Sequence, residues 1–399
     1  MNSIIRNILL RKIYDSRGKP TVEAKVITKD GKISVAMAPS GTSTSEYEVV
    51  AFPLDNVELG IKNFNEKKNK FFGINVGDQE EIDTLLHEVD GTSNFSKIGG
   101  NIATAVSIAA ARSAAEHEKL ELYHYIYEKF AKSFAKESIP RLLGNIIGGG
   151  VHSKSKMNIQ EILISPNSGS LEKDASISIN LRAELSKKLG IFCSNIEGAI
   201  VTSYNDVKNL ELVKNIVEEY KKREHIEIDI GIDMAASEYY SKRESKYYFS
   251  KPMDKGHYIK FVINLVEKFE LKYLEDPLEA SDFEGFGELN KNMSNVLVVG
   301  DDLYATSKNR LLKGIETKSS NGILIKINQV GTITDTLDTI KLARHNEIEC
   351  VISHRSGETG DTFISHLAVA VGAKFIKCGI MGWERIAKIN ELLRIQETL

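Results

Sequence analysis

Six β-rich runs in the second half of the chain end on, or carry, charged side chains. HIEIDIGID reaches Asp233, LKYLED reaches Glu275 and Asp276, and NVLVVGDD reaches Asp301 and Asp302. GILIKIN carries Lys326, IECVISHR reaches His354 and Arg355, and AKFIKCG carries Lys377. Asp233, Glu275 and Asp301 form a possible trio of oxygen ligands. Hard carboxylates with no sulfur nearby favour Mg2+ or Mn2+ over Zn2+. Any one of them alone reads better as a helix cap, because aspartate at a strand-to-helix junction is an ordinary N-cap. Three on successive apolar strands shift the reading toward a metal.

Lys326 is enclosed by Ile323, Leu324, Ile325 and Ile327. An ammonium is costly to bury unless it is paired. Free lysine, with a pKa of about 10.4, is a poor base at neutral pH. Desolvation, a second ammonium (Lys377) and a nearby dication all favour the neutral amine, which can take a proton from a carbon beside a carboxylate. The competing reading is snorkelling, with each stem buried and each ammonium in water. His354, Arg355 and Ser356, in SHRSGETGD, offer a planar fork and two further donors suited to phosphate or carboxylate. A polar surface loop is the alternative there. GGGVH, residues 148 to 152, is a weaker anion signal. The other seven histidines, His87 and His366 included, read as surface or filler positions.

These marks need a frame that brings them together. After a longer first gap they recur roughly 25 residues apart, the length of one strand, one helix and two loops in a β/α barrel of about 250 residues. In such barrels the C-terminal strand ends surround one site. The expected fold class is therefore α/β, with a barrel over residues 139–399 and a smaller α+β unit over residues 1–138. In that first unit, TVEAKVITKDGKISVAMA carries Asp30-Gly31 between two β-rich arms, a hairpin signal. PSGTSTSEYE, residues 39 to 48, reads as a loop, and the stretch from Asp55 to about Ala135 reads as helical.

Composition narrows the class. The 399 residues are 42% hydrophobic and 27% charged, with a formal net charge of −3. That balance suits a soluble globular protein and argues against nucleic acid or an anionic membrane as the main partner. Three scattered cysteines, Cys193, Cys350 and Cys378, support neither a disulfide framework nor a zinc knuckle. With no secretory leader or membrane span evident, the expected location is the cytoplasm.

YDSRGKPTVE, PSGTSTSEYE, QEILISP, GIDMAASEYY, LEDP, GDDLYAT, LIKINQVGT, SHRSGETGDTF and IAKINELLRIQE resemble the enolase family, in order, from about Ile13 to Leu392. The resemblance implies a TIM-like barrel of enolase type, its first strands departing from simple β/α alternation, packed against an N-terminal α+β domain. It implies a cytoplasmic, Mg2+-dependent lyase that interconverts 2-phospho-D-glycerate and phosphoenolpyruvate in glycolysis and gluconeogenesis. Enzymes of this superfamily pair a Lys or His base with one or two Mg2+ ions. Carried over, Lys326 is the base and Glu197, in NIEGA, is the acid that protonates the departing hydroxide. Asp233, Glu275 and Asp301 hold the first Mg2+, and Ser43 closes onto a second that arrives with substrate. Lys377 and the metal stabilise the enolate. His152, Gln160, Glu161, His354, Arg355 and Ser356 contact a small phosphorylated acid. The family also implies a homo-oligomer, at least a dimer. Spacing alone selects neither Glu197 nor Gln160.

Several loops depart from the family pattern. Ser45 stands where the lid usually has Gly, and Ile196 replaces an Asp beside the acid. Lys154 and Lys156 enter the segment after GGGVH, and GAPxRSER shortens to GIMGWER with Trp383. Less backbone freedom at Ser45 predicts altered closure. An apolar neighbour at 196 predicts either a protonated Glu197 or, through a lost hydrogen bond, a misplaced one. Two alternatives follow: a paralogue that abstracts the proton beside the carboxylate of a different acid, or a non-catalytic binding protein on the same scaffold.

Overall fold

The computed structural model describes residues 2–42, 45–150, 153 and 155–399. The chain opens with an antiparallel sheet of β1 (Ile5–Tyr14), β2 (Pro20–Thr28) and β3 (Ile33–Met37). The Asp30-Gly31 hairpin forms as its sequence predicts. Gly31 takes φ +88°, which a side chain would resist, and its N–H donates to Thr28 O at 3.0 Å. The helix Gly100–Glu118 packs on β2 and β3. Its stripe of alanines, including Ala103, Ala110 and Ala114, is buried and lets the helix lie close to the sheet.

Beyond Pro140 the chain builds a closed eight-stranded barrel. Its strands are β4 (Arg141–Gly148), β5 (Glu161–Asn167), β6 (Glu227–Asp233), β10 (Tyr273–Glu275), β11 (Leu297–Gly300), β12 (Gly322–Ile325), β13 (Glu349–Ser353) and β14 (Phe375–Gly379). A small separate sheet of β7 (Tyr240–Ser241), β8 (Lys246–Tyr248) and β9 (Pro252–Met253) follows β6. All barrel pairings are parallel except the two made by β5, which runs antiparallel to β4 and β6. The β4–β5 connection therefore needs no crossover helix, and two consecutive helices, Leu171–Leu189 and Asp206–Glu224, precede β6. The small β7–β9 sheet, inserted between β6 and the next helix, accounts for the longer first gap between the charged marks, Asp233 to Glu275.

One apolar layer closes the barrel interior. Leu143, Leu163, Tyr273, Leu297, Val299, Leu324, Val351 and Phe375 form a single buried cluster. β6 contributes Gly231 instead of a side chain, because a Cβ there would meet Tyr273 Cβ at 2.7 Å. The Tyr273 ring fills that space and stands edge-on to Phe375.

The N-terminal helices grip the barrel beside β12. Asp83, on the helix Gln79–Asp90, accepts from the backbone and hydroxyl of Thr334 at 2.9 and 2.6 Å, and from Gln79 Nε2 at 3.0 Å. Burial pushes its carboxyl up to about 6. The folded-state value lies above the unfolded one, so the native state holds the extra proton between about pH 4 and 6. Stability from this group is full below pH 4 and falls as pH rises through 6, by an amount on the order of 3 kcal/mol. Asp83→Asn is expected to flatten that segment of the urea-midpoint profile relative to the unsubstituted protein. Parallel profiles from pH 4 to 7 would refute it.

Candidate active site

Period-two alternation puts one residue of each barrel strand in the floor and the next inward residue above it. Thus Asn145 follows Leu143, Asp233 follows Gly231, Glu275 follows Tyr273 and Asp301 follows Val299. Lys326 follows Leu324, Ser353 follows Val351 and Lys377 follows Phe375. Antiparallel β5 reverses the order, and Glu161 comes two residues before Leu163. The resulting cavity is lined by Gln160, Glu161, Glu197, Asp233, Asp301, Lys326, His354, Arg355, Ser356 and Lys377, among others. Ser43 and His152 lie outside the described residues, as does Lys154.

Lys377 sits at the centre. Its Nζ lies 2.7 Å from Glu275 Oε1, 2.8 Å from Glu161 Oε2 and 2.9 Å from Asp233 Oδ2. Tyr273 OH donates to the other Glu275 oxygen at 2.5 Å. Lys326 pairs with Asp301, whose second oxygen accepts from Gln329 Nε2 at 3.2 Å. Gln160 donates through its backbone to Asp233 O at 2.9 Å and through Nε2 to the Asp233 carboxylate at 3.2 Å. Asn145 Nδ2 bridges Glu161 at 2.8 Å and Glu197 at 3.2 Å. Arg355 grips Glu48 with both guanidinium nitrogens, at 2.8 and 3.2 Å. Ser356 shares a 2.7 Å hydroxyl contact with Thr42. Arg385, wholly buried, donates to His354 Nδ1 at 2.6 Å and to the carbonyls of Arg355 and Ser356 at 2.6 and 2.9 Å.

The capping alternative does not describe these acids. The helices after β6, β10 and β11 take Asp254, Asp282 and Ser307 as their N-caps. Asp276 caps nothing either. It holds the backbone N–H groups of Asp301 and Asp302 at 2.9 and 2.8 Å, with φ +41°. Snorkelling fails too, since both lysine side chains end on buried carboxylates.

Electrostatics differ from the sequence expectation at the lysines. Burial pulls the Lys377 ammonium down, but Asp233, Glu161 and Glu275 outweigh it and hold its pKa well above the ordinary value. Burial likewise opposes the charge on Lys326, and Asp301 reverses the sign. Ion pairing therefore beats desolvation at both amines. Burial raises the Glu161 carboxyl, with Lys377 opposing and Glu197 reinforcing the rise. Burial, then Asp233, also raises Glu275 well above the carboxylate range.

This donor set fits a divalent cation. Eight carboxylates line the cavity against three basic side chains, Lys326, Arg355 and Lys377. Such an excess of acidic groups favours a dication, and carboxylate oxygens suit a hard one. Two groups have ligand atoms within 4.8 Å of one another: Asp276 with Asp301 and Asp302, all oxygen, and Glu161 with Glu197 and His354, which includes a ring nitrogen. Asp233 lines the cavity with Asp301 while Glu275 lies fully buried behind it, and both are drawn onto Lys377.

The altered loops behave differently from one another. Ser45 donates its N–H to Glu48 Oε1 at 3.3 Å. Ile196 is 38% exposed, so it does not wall in Glu197. Lys156 is exposed. His366 is not a surface position: it is buried and pairs with Glu391 at 2.9 Å. Sequence reasoning missed Asn145, Glu48, Gln329 and Arg385. Asn145 was findable as the polar residue two beyond an apolar floor position. The other three carry no local pattern.

A barrel with one reversed strand, carrying two buried lysines among acids at one mouth, is the frame of an acid–base enzyme. The descriptions "Enolase, C-terminal TIM barrel domain" and "Enolase, N-terminal domain" match residues 136–399 and 5–126. Proteins named Enolase are similar along the full length. That of Picrophilus torridus is 39% identical over the whole of both chains. That of Halorubrum lacusprofundi is 40% identical over 98% of each. That of Methanothermobacter thermautotrophicus is 41% identical over all of this chain and 98% of its own. The chain belongs to the enolase family and is an enzyme. No helix among the described residues is long and apolar enough to cross a membrane.

Proposed function

We propose that the chain is a Mg2+-dependent lyase that dehydrates 2-phospho-D-glycerate to phosphoenolpyruvate, reversibly, within glycolysis and gluconeogenesis. The observation that carries this reading is the placement of two amines, at strands two apart, against different carboxylates of one acid-lined cavity. Lys326, once released from Asp301 and relieved of its own proton to solvent, takes the proton from the carbon beside the carboxylate. The electron pair moves into that carboxylate, where the Lys377 ammonium offsets the added charge. Glu197 then gives a proton to the departing hydroxide at the next carbon. His152, Gln160, Glu161, His354, Arg355 and Ser356 are the positions that contact the substrate around its phosphate and hydroxyl. Asp233, Glu275 and Asp301 would hold Mg2+, with a second ion at Ser43, supplying Lewis-acid charge to the substrate carboxylate.

A second reading has one observation in its favour. Two departures from the family meet beside the acid: a Cβ on Gly198 would lie 2.5 Å from Met381 O, and Arg385 Nη2 donates to Ile196 O at 3.4 Å. The floor of the cavity keeps its full set. A paralogue acting on another acid with a proton beside its carboxylate fits that division. The deciding experiment is ultraviolet detection of phosphoenolpyruvate, with and without chelator, across a panel of phosphorylated and plain hydroxy acids. Turnover of 2-phosphoglycerate that chelator abolishes and Mg2+ restores is expected. Turnover of a different acid alone would establish the paralogue. We further propose a cytoplasmic homo-oligomer, at least a dimer, divided near residue 138, which sedimentation and limited proteolysis can test.

A further inference from the structure

We infer that Arg385 fixes His354 as the neutral tautomer with its proton on Nε2, making Arg385 a positioning residue for a one-way hydrogen-bond donor in the cavity. A guanidinium has only donors and stays charged. Its 2.6 Å approach to His354 Nδ1 therefore requires a lone pair on that nitrogen. A second donor, the Gly379 N–H, faces the same Nδ1 from β14 at 3.4 Å. A proton on Nδ1 would set three N–H groups against one another. The ring proton is thus left on Nε2.

The geometry makes this arrangement stiff. Arg385 has no exposed surface, and His354 is 3% exposed. Besides the imidazole, Arg385 ties down the carbonyls of Arg355 and Ser356, so one guanidinium touches three consecutive residues, His354 through its ring and the other two through their backbone. Glu384 is the acid nearest to it, at 3.5 Å. Burial and the Arg385 charge hold His354 well below the usual histidine range, with Lys377 and Lys326 in support and Glu197 opposing. One ring nitrogen of His354 lies within 4.8 Å of carboxylate oxygens of Glu161 and Glu197. With Nδ1 committed to Arg385, Nε2–H is the ring's one remaining polar group in a cavity that His354 lines together with Glu161 and Glu197. His354 is then a donor and never a base. Its service to catalysis rests on the function proposed above; the tautomer itself does not.

The test is a long-range 1H–15N correlation spectrum of the intact protein labelled with 15N-histidine, without substrate, with His354→Gln to assign the signal. The expected pattern is a protonated Nε2 and a bare Nδ1, unchanged from pH 8 to pH 5. A protonated Nδ1, or an imidazolium at pH 7, overturns the inference whatever the enzyme turns over. In Arg385→Lys the fixed pattern is expected to give way to mixed tautomers that titrate, with kcat lowered about 10- to 100-fold, the range for partners that orient a ring nitrogen. If Arg385→Lys folds and keeps the original pattern and titration, Arg385 is not the determinant. If it does not fold, the unsubstituted protein's spectrum still decides the tautomer.

Discussion

Replacing Lys326 with alanine is expected to lower turnover by about 10²- to 10⁴-fold, the usual contribution of a positioned general base. It is also expected to abolish exchange of the substrate proton beside the carboxylate with solvent deuterium. The two readouts belong together. Turnover alone could fall because Asp301, deprived of its partner, moves or takes up a proton, since Lys326 is what offsets the burial of that carboxylate. Exchange reports the proton-abstraction step directly. The test is proton NMR of 2-phosphoglycerate incubated with the variant in heavy water. Persistent exchange at the unsubstituted rate would assign the base elsewhere. KM is expected to change little, because the amine acts on the transition state more than on the bound substrate.

Lys377→Met is expected to inactivate the enzyme and to destabilise the metal-free protein by about 3–5 kcal/mol, the cost of leaving a buried ionic cluster without one partner. Glu161, Asp233 and Glu275 would then face one another with no intervening charge, each at most 2% exposed. The three acids can relieve the strain by binding protons or a cation. The loss of stability is accordingly expected to shrink as pH falls, and Mg2+ is expected to raise the melting temperature of the variant more than that of the unsubstituted protein. Thermal unfolding at several pH values, with Mg2+ and with chelator, measures both. A variant as stable as its parent in chelator at pH 8 would mean that the ammonium does not balance those acids.

Much of this site could be read from the chain before its fold was seen, for a definite reason. On parallel strands the inward residues nearest the C-terminal end face the mouth, so charged ends of apolar runs reveal Asp233, Glu275, Asp301, Lys326, His354 and Lys377. The same rule hides Glu161, because β5 is reversed and its site residue opens the strand instead of closing it. Glu197 lies in a loop, where no periodicity exists to mark it. Glu48 reaches Arg355 across more than three hundred residues of chain, a pairing that only the packing of the two halves creates. Arg385 stands one turn into the helix Trp383–Gln396, where an arginine ordinarily reads as solvated, yet it is wholly buried. The charge state of the lysines escaped for another reason. Sequence gave their desolvation correctly but not how many carboxylates would crowd each ammonium.

The layer of Leu143, Leu163, Tyr273 and their neighbours has a further consequence. It stoppers the barrel just beneath Lys377, so the cavity is a blind well with its throat on the loop side. Whatever descends must leave by the way it came, and the last ligand to arrive must be the first to go. Loop segments at the rim thus meter every entry and exit, while the chemistry at the bottom keeps no door of its own.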